Sequence, residues 1–332
     1  MYFSWVRARR SALAAAAFAF RGRQEMNASV LESIKKSAAV PSMPQVVLRF
    51  LEIMQDPEFD YADLVKVLSA DPGTVGELLR LANSALFGVR NKVVSTRQAL
   101  TLLGPKRVRS LLLGRYLVDT MTTKKVAGLD MSYFWRRSLT SSLLASHLAN
   151  EKIRPHRDEA FIGALLADIG IPILAEAMPQ QYAPALARFA PGKTALTAEE
   201  ETQAVELTHG EVSAMVLGHW TLPKSICAAV NLHQSQNPGT DDIAIIARIL
   251  NASDRIGALL CTEPDEDTVV ECCTDAMQFV GIDVGVLIKL LPTVEADVEE
   301  LADALRIDVL PSKAYAAVAR ALTEWLRGVA IA

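Results

Sequence analysis

Five histidines, four cysteines and one cluster of cations are the side chains from which a reactive site could be built in this chain. His209 opens a helix and reads either as a solvent-facing residue or as part of a site. His219 shares a helical face with Val212, Met215 and Val216, which puts it in the core or at its edge. His147 and His156 fall in a helix and a polar loop and receive no function. Cys227, Cys261, Cys272 and Cys273 form no C-x-x-C pair, and two adjacent cysteines suit neither a zinc site nor a disulfide framework, so they read as small buried apolar residues of a reducing compartment. Lys106, Arg107, Arg109 and Arg115 form the dense basic cluster. Its default reading is a solvated helix face, and its sharper one a binding patch for phosphate. The absence of interleaved aromatics disfavours nucleic acid and leaves a nucleotide open. A Gly-rich phosphate loop, a nucleophile elbow and a P-loop are all missing.

The elements that would position these groups are helices. Over 332 residues, 51% are hydrophobic and 22% charged, enough for a large core, and the length suggests two or three packed subdomains. A net charge of −4 gives no general pull toward nucleic acid. Residues 1–27 carry Arg7, Arg9 and Arg10, the apolar run Ala12 to Phe20, then Arg21 and Arg23. A run of about ten residues is too short to span a bilayer, which takes about twenty, and arginines stand where a cleavage site would lie. We read this stretch as a dispensable extension, with Met26 as a candidate start and a weak interfacial anchor as the alternative. With no later segment read as a membrane span, the expected location is cytoplasmic.

Helix signals recur from about Ala28, and no segment alternates with period two between hairpin turns, so the class is all-α. Asp60 caps Tyr61 to Ser69. Asp71-Pro72 starts a helix, because the carboxylate takes free first-turn amides and proline at the first position loses no bond. Ser95 and Gln98, like Thr208 and Glu211, have capping-box spacing, and Gly104 is a left-handed terminator ahead of Pro105. The predicted organisation is an N-terminal helical bundle over 28–125, a second helical block over 130–260 and a C-terminal helical segment over 265–332. A polar stretch from Thr122 to Asp130 separates the first two, and the second block begins near Phe134-Trp135. A loop-rich connection is expected around Pro179, Pro184, Pro191 and Gly192, and a break at Trp220 to Pro223.

Eight separated pieces carry a resemblance: Pro41 to Pro44, Asp71-Pro72, Leu78 to Ser84, Phe87-Gly88, Ala99 to Gly104, Trp135 to Ser138, Phe161 to Leu166 and Trp220 to Pro223. In this order, over Pro41 to Asp254, the chain resembles the HDOD family, bacterial relatives of the HD-domain phosphohydrolases. The resemblance implies an HD-like fold. In catalytic relatives it also implies a first-helix histidine, a His-Asp pair and a later aspartate around a divalent metal that activates water against a phosphoester. In this chain the first position is Arg137, which has no lone pair to give, and the His-Asp pair reads Ala167-Asp168. Asp254 matches the last ligand, and His209 and His233 fall near the extra histidines of a two-metal subgroup. An aspartate pair could hold Mg²⁺, but the arginine puts a fixed cation where the metal would sit. Arg137 is therefore expected to pair with Asp168 and replace the metal by a salt bridge.

The resulting expectation is a non-catalytic signalling or regulatory protein, without metal or other cofactor, acting through protein partners of a bacterial pathway. The alternatives are a phosphohydrolase using Asp168, His209, His233 and Asp254, and a nucleotide-binding sensor. The pieces from Asp71 to Ser84 read as fold maintenance.

Overall fold

The structure is a computed structural model that describes Ile34 and residues 43–56, 58–83, 92–122, 126–193, 196–305, 307 and 313–331. The extension 1–27, Met26, Pro41, Ser84 and Phe87-Gly88 lie outside the described residues. Among the described residues every regular element is helical.

Five helices form the N-terminal bundle: α1 (Gln45–Ile53), α2 (Tyr61–Ser69), α3 (Pro72–Ala82), α4 (Thr96–Leu103) and α5 (Pro105–Thr122). Each is short and one-sided, so its apolar stripe must be buried against its neighbours; Phe50, Leu64, Leu68, Leu78 and Leu100 are completely buried. The caps lie where the sequence puts them. Asp60 accepts from the Ala62 amide, Asp71 from the Thr74 amide at 2.9 Å and Ser95 from the Gln98 amide, each worth about 1 kcal/mol. Gly104 has φ 78°, the left-handed conformation that favours glycine. Asn83 ties the end of α3 to the returning chain, its amide donating to the Val93 carbonyl and its Oδ1 accepting from the Val93 amide.

The second block is organised around α6 (Met131–Lys152), capped by Asp130, so it begins three residues before Phe134. The polar stretch after α5 thus ends in a helix cap. Around α6 lie α7 (Arg157–Leu166), α8 (Gly170–Ala177), α9 (Pro179–Leu186), α10 (Ala198–Val205), α11 (His209–His219), α12 (Lys224–Leu232) and α13 (Asp242–Leu260). The proline-rich connection expected after α8 therefore holds two helices. Pro179 starts α9 without loss, Pro184 is accommodated inside it, and a Thr197–Glu200 capping box starts α10.

Helix α6 is buried along most of its length against α7 and α13. Its seam with α13 is close: a Cβ on Gly257 would lie 2.3 Å from the Ser141 Oγ, and Thr140 and Cys261 meet further along. The C-terminal helices α14 (Glu266–Val280), α15 (Val284–Leu305) and α16 (Ala314–Ile331) do not stand apart. Helix α14 packs on α13 and α15 on α6, while the Arg115 guanidinium of α5 donates to the Leu305 carbonyl at 2.7 Å.

The run from Arg154 to Ala177 is long and apolar enough to cross a membrane, contrary to the expectation that no later segment would be, but 83% of its apolar window is buried inside the fold. Its apolarity is that of a core element. Cys273 is buried, the other three cysteines are half-buried and all four are free thiols.

Candidate functional site

Three elements bring the candidate residues together. Asp168 sits in the turn between α7 and α8, His209 at the first position of α11 and His233 just past the end of α12. The Thr208–Glu211 capping box fixes where α11 starts, and so the direction of His209. Gly170 lets α8 touch that start: its amide donates to the Ser213 Oγ at 2.8 Å, and a Cβ there would lie 2.2 Å from the His209 carbonyl oxygen.

His209 and His233 are 3% and 2% exposed, so the solvent-facing reading of His209 is overturned. His219 also departs from expectation. It ends α11 exposed, and the next residue, Trp220, takes the buried position.

The His209 Nε2 lies 3.3 Å from the Asp168 Oδ1 and 3.3 Å from the His233 Nε2, which is 3.8 Å from the same carboxylate oxygen. On its other side the His209 Nδ1 meets the Glu201 Oε2 at 2.8 Å, and the second Glu201 oxygen accepts from the Tyr182 hydroxyl at 2.5 Å. The His233 Nδ1–H donates to the Val230 carbonyl at 2.6 Å, leaving its Nε2 with the lone pair.

Glu201 and Tyr182 were missed from sequence, although both are completely buried. A signal existed: Glu201 is one turn before Val205 on the inward stripe of α10, the position where a lone carboxylate must have a partner.

Burial alone would lower the His209 pKa, but Glu201 and Asp168 on either side raise it to about 10. Burial would raise both carboxylates, yet the bond and charge of His209 hold Asp168 well below its ordinary range and lower Glu201 as well. His233 goes down, first from burial and then from the adjacent His209 cation. At neutral pH the centre is an imidazolium held between two carboxylates, next to a neutral imidazole.

The expected salt bridge from Arg137 to Asp168 is not the one formed. Arg137 instead makes a bidentate pair with Asp254, Nε to Oδ1 at 2.8 Å and Nη2 to Oδ2 at 2.6 Å, with its guanidinium 4.5 Å above the Phe189 ring. The reason lies in the α6–α13 seam, which sets Asp254 in the plane of the guanidinium, while Asp168 turns to the histidines. Burial would lower the Arg137 pKa, but Asp254 and then Asp168 push it up, and it stays charged. Ala167 is buried and offers a methyl where a ligand would stand.

Asp168, His209 and His233 together could hold a metal ion. A point between the three facing atoms lies about 2 Å from each, the length of a zinc–nitrogen or zinc–carboxylate bond. The Glu201–His209 contact is also the kind that orients a metal-binding imidazole. Of the four residues weighed from sequence for a metal-dependent site, the geometry brings Asp168, His209 and His233 together and leaves Asp254 with Arg137. Two imidazoles and one carboxylate suit zinc, manganese or iron better than the magnesium weighed from sequence. Two obstacles stand beside this fit. The proton on His209 must leave first, which for a group at about 10 costs about 4 kcal/mol at neutral pH, and Arg137 keeps Asp254 engaged.

The basic patch does not assemble. At 100° per residue Lys106, Arg107, Arg109 and Arg115 point around α5, not along one face. Arg107 pairs with Asp158, Arg115 is buried against Glu77, Asp119 and the Leu305 carbonyl, and Arg109 is buried elsewhere.

Comparison with known proteins agrees with this geometry. The HDOD domain model matches residues 40–236, more than half of the chain. A protein of Shewanella amazonensis SB2B, provisionally named a phosphohydrolase, superposes with TM-score 0.64 at 22% identity, over 81% of this chain and 99% of that one. An HDOD domain protein of unknown function from Geobacter sulfurreducens gives 0.63 at 18% identity, over 80% and 93%. One from Marinobacter aquaeolei VT8, provisionally named a signal transduction protein, gives 0.58 at 19% identity, over 80% and 60%. An uncharacterised protein of Treponema pallidum (strain Nichols) is 23% identical over 205 residues, and the chain spans 38% of its length. With the all-helical fold and the matched segment, the chain belongs to the HDOD family.

Proposed function

We propose that this chain is a regulatory module that binds partners and does not turn over phosphoesters. The observation that carries this reading is the Arg137–Asp254 pair, in which the residue at the first ligand position neutralises the residue at the last. The imidazolium of His209 between Asp168 and Glu201 adds a second internal cation.

The cleft beside the centre argues the same way. It measures about 940 Å³, is reached by His233 and Asp254, and is lined by Glu199, Glu211 and Asp275 with Arg255 as its single cation. With Asp254 neutralised by Arg137, three carboxylates against one guanidinium disfavour a phosphodiester. Relatives on this fold are provisionally named for signal transduction as well as for phosphohydrolysis. The partners belong to the protein class, in a cytoplasmic bacterial pathway.

The second reading, a metal-dependent phosphohydrolase, is favoured by the three converging donors. There Asp168, His209 and His233 would hold the ion, which would supply Lewis-acid activation of water.

One experiment separates the two readings. The chelated protein is reloaded with Zn²⁺, Mn²⁺ or Mg²⁺, assayed on cyclic dinucleotides and a generic phosphodiester, and compared with an Arg137→His, Ala167→His variant for metal content. We expect no turnover from the natural protein and a gain of bound metal in the variant. Turnover that disappears in Asp168→Asn would instead establish the hydrolase.

A further inference from the structure

Away from the HD-like centre, Arg109 is a buried cation with no carboxylate partner among the described residues. It is 7% exposed, and its Nε meets no acceptor. The acids whose charge reaches it, Glu159 and Asp158, are already engaged by His156 and Arg107. Leaving the Nε–H of a guanidinium dry and without an acceptor is unfavourable in a folded chain.

Arg109 lines a cleft of about 860 Å³ between the N-terminal bundle and the turn that joins α11 to α12. The size is that of a small-molecule site. Leu51 and Met54 form one wall, Leu222 and Pro223 the other, and Lys224 stands at the edge. The nine-residue helix α12 starts on this cleft, and its first turn has no side-chain cap. A helix start without a cap leaves amide donors and a partial positive charge directed outward. Buried guanidinium, lysine and helix start converge, with no acidic residue in the lining.

We propose that this cleft is a binding site for a small anionic ligand, a phosphate or carboxylate head on an apolar body, with Arg109 as the buried counter-ion. The head meets Arg109 and the start of α12, and the body lies against Leu51, Met54 and Leu222. The cleft touches the bundle on one side and the second block on the other, so an occupant bridges the two parts of the HDOD module. The inference does not depend on whether the HD-like centre binds metal or is catalytic.

The test uses the full chain with phenyl phosphate and benzoate as probes and phenol as the neutral control, read by thermal shift and titration calorimetry. We expect one or both anions, and not phenol, to raise Tm at millimolar concentration with one site per chain. Arg109→Met should abolish the response while raising the Tm of the free protein, because an apolar side chain replaces an unpaired cation. A purely structural arginine would give a fall. Should Arg109→Met not fold, Lys224→Glu serves instead. Its residue is exposed and its negative charge suits a helix start, so the fold is kept while anion affinity falls at least tenfold. Absence of any anion-specific response in the natural protein, or an undiminished one in a variant, overturns the proposal.

Discussion

Replacing Arg137 by methionine tests the assignment of the central ion pair most directly. The substitution keeps much of the apolar stem and removes the guanidinium, leaving the Asp254 carboxylate without its two bonds. Breaking a buried pair from one side costs about 3–5 kcal/mol. The Arg137 side chain is 8% exposed but that of Asp254 is 21%, so water takes up part of the loss, and about 2–3 kcal/mol is the figure we expect. At about 1.4 °C per kcal/mol for a chain of 332 residues, Tm should fall by about 3–4 °C.

Because burial and the charge of Asp168 already push the Asp254 carboxyl up against Arg137, removing the arginine lets it rise further. A carboxyl raised above its unfolded value near 4 binds its proton more tightly in the folded state, so the deficit against the natural protein should shrink as pH falls from about 7 to 5. The Arg137→Met, Asp254→Leu double variant should recover to within about 1 kcal/mol of the natural protein, since apolar replacement of both partners is close to neutral. Urea unfolding of chelated protein measures all four corners of the cycle. Additive single losses, or an Arg137→Met variant as stable as the natural chain, would refute the pairing.

Two further outcomes follow from the centre. In chelated protein His209 should titrate near 10 by imidazole NMR. A folded pKa above the unfolded value of 6.5 means its stabilisation is complete below 6.5 and is lost as pH rises toward 10, so the urea midpoint should fall across that window, and Glu201→Gln should remove most of the fall. Gly170→Ala should cost at least about 3 kcal/mol or prevent folding, because the added methyl meets a backbone carbonyl that cannot yield; an unchanged Tm would contradict the packing of α8 on α11.

Much of the frame was legible because it is written in local chemistry. Asp60, Asp71, Ser95 and Thr208 cap as their side chains dictate, and Gly104 turns left-handed as only glycine does readily. Two helices around Pro179–Val205 were hidden by prolines, whose meaning depends on whether they open a helix or interrupt it. At the centre, residue identities were legible through the family resemblance, but the pairing was not. Which aspartate Arg137 meets is decided by how α6 and α13 lie side by side, information that no single stretch of chain carries. Glu201 was missed for a related reason. Within the run Glu199 to Glu201 its neighbours are surface acids, and only its phase relative to Val205 sets it apart.

The α6–α13 seam makes three contacts within two turns of each helix: Arg137 with Asp254, Ser141 with Gly257, Thr140 with Cys261. His156, just past the end of α6, reaches Asp242 at the start of α13 at 3.5 Å, while Arg137 near the start of α6 reaches Asp254 toward the end of α13, so the two run antiparallel and share a single register. Sliding either helix by one turn, about 5.4 Å, would undo all three contacts together. Gly257 fixes the spacing, and a guanidinium–carboxylate fork a few residues away tolerates little error in it. The seam therefore behaves like a ratchet with one tooth engaged, and the missing methyl of a glycine sets the distance at which the charges can clasp.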